Sequence, residues 1–159
     1  VLRRLKLIFS IALVGFVIIQ VLPFGRFVPI LERKPNPPVI RTIEWDSSET
    51  HDLARMACFD CHSNETVYPW YSHIAPVSWL VTGDVNKGRK ALNFSEDDPA
   101  DYDLDDLKWH LYNDMPPPTY LLTHPEARLT DEQRAALMTG FEATFTEASH
   151  EGMDMSDDQ

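Results

Sequence analysis

Apolar residues run unbroken near the start of the chain and become periodic only later. Residues 7–24, LIFSIALVGFVIIQVLPF, hold no charge. About 18 to 20 apolar residues cross the hydrocarbon core of a bilayer as a helix, so this run predicts a single transmembrane helix rather than a buried core helix. It ends at Pro23-Phe24-Gly25-Arg26 without a small-residue cleavage pattern, and so reads as an uncleaved signal anchor over residues 1–26. Arg3, Arg4 and Lys6 precede the run while Arg26, Arg33 and Lys34 follow it. Flanking charge therefore does not orient it.

Residues 27–46 carry Pro29, Pro35, Pro37 and Pro38, which remove donors and fix φ. They predict an extended Pro-rich linker, with Ile43 and Trp45 able to pack along the domain over its last third. From residue 47 to 149 the apolar positions recur at helical spacing, and no run alternates with the strand period. The first helix is expected over 49–60, capped by Ser47 or Ser48, with Leu53, Met56 and Ala57 on its apolar face. A second starts at Pro76 and runs past Val85, with Trp79, Leu80 and Val81 toward the core. A third spans 103–113 on Leu104, Leu107, Trp109 and Leu111. The last opens with Thr130-Asp131-Glu132-Gln133, a capping box, and then places Leu137, Met138, Phe141 and Phe145 on one face. Residues 150–159 are polar and acidic and are expected to be a disordered tail. The fold class is all-α.

Charge splits the chain. Residues 1–40 hold six Lys/Arg and one Glu; residues 41–159 hold eight Lys/Arg and 24 Asp/Glu, a balance of −16. Phosphates would be repelled by this domain, which argues against nucleic acid. Basic partner proteins would be steered toward it.

Both cysteines lie in Cys58-Phe59-Asp60-Cys61-His62. A disulfide across so short a loop adds little loop-closure entropy, and a structural zinc site needs four ligands. The dithiol redox motif belongs to a βαβ framework that has no counterpart here. The CxxCH spacing instead matches covalent haem attachment: two thiols on one helical turn reach the two vinyl groups of one haem edge, and the following imidazole reaches the iron. Attachment of this kind takes place outside the bacterial cytoplasm. It therefore orients the anchor, with residues 27–159 in the periplasm and residues 7–24 in the inner membrane.

A second axial ligand is expected at Met115. It stands before Pro116-Pro117-Pro118, which ends the preceding helix and stiffens the loop. His110 is the strongest competitor, ahead of His73 and His124. Arg89, Lys87 and Tyr120 are candidate partners for haem propionates, since buried carboxylates need partners.

The stretches ACFDCHSNETVYPWYSHIAPVSWLVTGDVNKGRKALNFS and MPPPTYLLTHPEARLT resemble the bacterial haem-binding-domain family of small c-type cytochromes. The arrangement of a helix ending in CxxCH, a Met-Pro loop and a C-terminal helix is broadly similar to class I cytochrome c. The resemblance implies one haem c held by Cys58 and Cys61, with His62 as proximal and Met115 as distal iron ligand. The expected protein is a membrane-anchored electron carrier rather than an enzyme. It would act free or as a subunit of a larger redox complex. The alternative is a five-coordinate haem sensor or peroxidase-like enzyme with His110 in the distal pocket.

Overall fold

The computed structural model describes residues 1–22, 27–28 and 31–154. Among these residues there are six α-helices and no strand. They are α1 (Leu2–Val21), α2 (Ser48–Ala57), α3 (Phe59–His62), α4 (Val77–Ala91), α5 (Leu104–Asn113) and α6 (Asp131–Asp154), joined by short 3₁₀ turns. The all-α expectation holds.

The helix α1 begins five residues before the expected span and takes in Arg3, Arg4 and Lys6. Its 20 residues, with a mean hydropathy of 2.0, bury nothing against the protein. At 1.5 Å per residue such a helix is about 30 Å long, enough to cross a bilayer. Residues 23–24 of the expected span, the Arg26 boundary and Pro29 lie outside the described residues.

The segment expected as a spacer is a strap. Asn36 Nδ2 donates to Thr66 O (2.9 Å), Asn64 Nδ2 to Pro38 O (2.8 Å), and the N–H groups of Ile40 and Arg41 both to Ser95 O (2.9 Å). Asp46 N–H donates to Thr144 Oγ1 on α6 (3.1 Å). The prolines leave these neighbours as the available donors and acceptors, and the domain satisfies them. Ile43 is buried at the end of the strap. Trp45 is the hub of an aromatic cluster, with ring centroids 5.6 Å from Phe94, 6.1 Å from Phe59 and Phe145, and 6.2 Å from Phe141.

The first domain helix is broken rather than continuous. Ser47 caps α2 by accepting Thr50 N–H (3.2 Å). The helix stops at Cys58 (φ −124°, ψ −38°), and α3 starts again at Phe59. The two pieces have different partners: α2 packs on α6 and α3 on α4. One straight axis cannot serve both. Gly140 lets α2 and α6 approach closely, because a Cβ there would fall on Thr50.

The helix α4 buries Thr82, Gly83, Val85 and Gly88 rather than Trp79, Leu80 and Val81. This stripe of mostly small residues permits close contact with α3, and it leaves Leu80 half exposed. Asp103 caps α5 by accepting the N–H groups of Asp105 (3.0 Å) and Asp106 (3.1 Å). The capping box forms as expected: Thr130 N–H donates to Gln133 Oε1 (2.9 Å), and Gln133 N–H to Thr130 Oγ1 (3.2 Å). Leu137, Met138, Phe141 and Phe145 are all buried. The helix α6 continues to Asp154, so the first five residues of the expected disordered tail are helical; residues 155–159 lie outside the described residues. Ala, Glu and Ala in 143–148 are good helix formers and carry the helix past its last core residue.

Replacing Trp45 by Ala should cost about 3–5 kcal/mol, the range for emptying a large aromatic site. Chemical denaturation of the purified protein measures it. A loss below about 0.5 kcal/mol, typical of an exposed position, would mean that the strap is a spacer after all.

Candidate functional site

The break at Cys58 gives the CxxCH residues a turn of their own. Cys61 N–H (3.1 Å) and His62 N–H (2.9 Å) both donate to Cys58 O, and Phe94 N–H donates to His62 O (2.8 Å). Asp60 ties this turn to distant parts of the chain: its carboxylate accepts Val67 N–H (2.9 Å) and Tyr120 Oη–H (2.8 Å).

Cys58, Cys61, His62 and Met115 border two adjoining hollows. The larger, about 340 Å³, is lined by Cys58, His62 and Met115 together with Phe94, Leu107 and Phe141. The second, about 200 Å³, is lined by Cys61, His62 and Met115 with Asp84, Lys87 and Gly88. His62 and Met115 belong to both. Mostly apolar walls with a few convergent polar groups are the usual make-up of a cofactor site, at roughly 300–1,000 Å³.

Each candidate ligand is prepared by its surroundings. His62 Nδ1 lies 3.1 Å from Leu92 O. A carbonyl only accepts, so Nδ1 carries the proton and Nε2 keeps its lone pair. Burial lowers the His62 pKa, which favours the same neutral ring. No disulfide joins the two cysteines. Burial pushes Cys58 up to about 12, with Cys61 adding to the effect. Burial likewise pushes Cys61 up to about 12, followed by Asp84 and Asp60. These thiols lack the depressed pKa of a dithiol exchange site. Among the described residues no three His, Cys, Asp or Glu side chains gather as a metal site.

The competing histidines are otherwise engaged. His110 lines the larger hollow, but its Nδ1 lies 2.9 Å from Asp114 Oδ1 and its Nε2 3.7 Å from Asp106 Oδ1. His73 pairs with Arg33 (2.9 Å), and His124 stacks on Tyr120 at 4.0 Å. The expected propionate partners have protein contacts as well. Arg89 donates to Ser63 O (2.8 Å), Asn36 Oδ1 (2.6 Å) and Thr66 Oγ1 (2.8 Å), fastening the strap. Tyr120 is bound to Asp60. Lys87 is exposed and reaches only the smaller hollow.

Two residues at the site carry no local sequence signal. Tyr102 lines the larger hollow, and its hydroxyl is the one buried side-chain polar atom without a hydrogen bond among the described residues. An orphaned buried hydroxyl implies a partner in the hollow. Arg134, on α6, donates from Nη1 to Leu111 O and to Met115 O (3.0 Å). It thereby clamps the end of α5 and the Met115 backbone together. Their only trace in the sequence is a tyrosine and an arginine inside otherwise amphipathic stretches.

Arg134→Met leaves two partly buried carbonyls without their donor, a cost of about 1–3 kcal/mol. Amide exchange over residues 111–121 should accelerate while exchange in α4 stays as it was. Uniform acceleration across the domain would show that Arg134 supports the fold at large and not this loop.

Residues 14–143 match the family described as Haem-binding domain. A curated relative, Cytochrome c peroxidase Ccp of Escherichia coli (strain K12), is 28% identical over 95 residues, which is 54% of this chain and 20% of that protein. The chain thus spans about a fifth of the curated relative it matches. No solved structure matches. The family match covers most of the chain, including both hollows and every candidate ligand, and the chain belongs to the haem-binding domain family.

Proposed function

We propose that this protein is a membrane-anchored electron carrier with one c-type haem, working on the periplasmic side of the bacterial inner membrane. The observation that carries this reading is the convergence of Cys58, Cys61, His62 and Met115 on the two adjoining hollows. Cys58 and Cys61 are assigned as thioether attachment points, His62 Nε2 as proximal ligand and Met115 Sδ as distal ligand. Haem bound there supplies reversible one-electron exchange. The chain's own residues do the rest. The Leu92 carbonyl holds His62 in the ligating tautomer, Arg134 holds the Met115 backbone, and Tyr102 Oη would be the donor available to a propionate.

Asp101, Asp103 and Asp106 edge the larger hollow. They form an acidic rim suited to redox partners with basic docking surfaces, whether the carrier works alone or inside a larger complex. Among the described residues, histidines are the basic side chains that line that hollow. The name of the curated relative raises peroxide reduction as a second reading. That chemistry needs a free distal acid–base group, and His110 is the residue placed for it. Both of its nitrogens face carboxylates, which favours the carrier.

Haem should stay with the polypeptide through acid–acetone extraction of the full chain; a colourless polypeptide would sink the assignment of Cys58 and Cys61. The oxidised protein should show the methionine–iron charge-transfer band, and Met115→Ala should lose it. Persistence of the band in that variant, or rapid carbon monoxide binding by the reduced wild type, would shift the reading to the five-coordinate alternative. Asp103→Asn combined with Asp106→Asn should slow reduction by a basic cytochrome at low ionic strength and make little difference at high salt. An equal effect at both salt concentrations would remove steering from the account.

A further inference from the structure

The acidic domain has one side poor in charge. Residues 66–83 contain no Asp, Glu, Lys or Arg, and neither do residues 115–125, in a stretch of the chain whose balance is −16. The fold brings these two segments together. Val67, Val77 and Leu80 from the first, and Pro117 and Leu122 from the second, line one hollow of about 320 Å³ that reaches Cys61. Around it Val67 is 72%, Trp70 75% and Leu122 82% exposed. Contiguous bare apolar side chains of this size mark an interaction surface. Asp60 and Asp84 also line this hollow. Asp60 is held by Tyr120 Oη and Val67 N–H, and Asp84 is partly buried.

The position of this face identifies what covers it. Gln20, in the last turn of α1, donates from Nε2 to Ala75 O and accepts Ala75 N–H at Oε1, each at 3.0 Å. The amide thus pairs with the backbone on both sides. It pins the end of the apolar helix to the charge-free segment, two residues before Val77. From the strap, Arg33 donates to Ser72 O (3.4 Å) and to His73 Nδ1 (2.9 Å), and its guanidinium lies 4.1 Å from the centre of the Tyr68 ring. A cation therefore borders the face.

We propose that this face rests on the lipid surface of the membrane entered by α1, with Val67, Trp70 and Leu122 in the headgroup layer and Arg33 beside anionic headgroups. The proposal rests on the reading of α1 as a membrane span. Tryptophan and tyrosine favour the bilayer interface, where an apolar ring and a polar edge are both satisfied. Anionic headgroups repel the acidic remainder of the domain, so the charge-poor side is the one it can turn toward lipid. The hollow beside Cys61 then opens toward the membrane. It shares no lining residue with the acid-rimmed hollow, which is left for partners in solution.

The test uses the full chain in vesicles of phosphatidylethanolamine and phosphatidylglycerol. The photoreactive residue p-benzoylphenylalanine replaces Trp70, Leu122 or, as a control, Trp109 on α5, which is 57% exposed. Illumination should give several-fold more lipid adduct at positions 70 and 122 than at 109. Gln20→Leu should lower the yield at 70 toward the control. Haem absorbance and helical circular dichroism identify any variant that fails to fold, and the same replacement at Val67 then takes its place. Flotation after a carbonate wash separates the two readings. A chain that fails to float overturns the span, and this proposal with it. A chain that floats but gives equal adducts at 70, 122 and 109, or adducts to a second copy of itself, overturns the lipid-facing assignment alone.

Discussion

The closeness of α4 to the turn that carries the two cysteines governs the rest of the site. A Cβ on Gly88 would fall on the Cys61 carbonyl oxygen and 2.9 Å from the Cys61 carbonyl carbon and Cβ. Glycine is needed there for want of space, not for an unusual φ. That contact fixes α3 against α4, and Leu92, just beyond the end of α4, supplies the carbonyl that selects the His62 tautomer. It also explains why the helix breaks at Cys58. The helix α2 follows α6, which meets it across Gly140 and Thr50, while α3 follows α4. The break is where two packing demands meet, and it falls at the first cysteine.

Features written in neighbouring residues were legible in advance. The CFDCH run, the capping box at Thr130 and the buried face of Leu137, Met138, Phe141 and Phe145 each depend on spacings of a few residues. Those that depend on distant partners were not. Arg134 reaches carbonyls 19 and 23 residues upstream, and Asp60 meets a hydroxyl 60 residues away. Trp45 was expected to pack along the domain, but its place at the centre of an aromatic cluster was not legible. Its indole lies against rings from α3, α6 and the loop after α4. The contacts of the propionate candidates were hidden for the same reason. Arg89 and Tyr120 are suitable donors by type, but the strap and Asp60 had already engaged them. Tyr102 could emerge only from the absence of a partner in three dimensions.

The strap and Gln20 change what anchoring means for this domain. A tether of extended prolines would let it swing through a volume set by the linker's reach. Hydrogen bonds from Asn36, Ile40, Arg41 and Asp46, together with the Gln20–Ala75 pair, instead hold the domain close to the end of α1. On the proposed reading, a carrier held this way does not search by swinging, and partners come to it, which gives an acidic rim and its long-range attraction a larger share in the encounter.

On the proposed reading, the choice between carrying electrons and activating a substrate turns on two side chains that border the same hollow. Met115 brings a neutral thioether on a loop whose backbone is clamped by Arg134. Ligation by it asks for no change of charge in the surrounding protein. His110 brings an imidazole that sits between Asp106 and Asp114, one turn away on either side. To reach iron it would have to leave at least one of these carboxylates on a surface already crowded with negative charge. To serve as a distal base it would have to turn a nitrogen away from Asp106 or Asp114 and into the hollow. Asp106 thus serves twice: it belongs to the acidic rim, and with Asp114 it holds His110 away from both other roles.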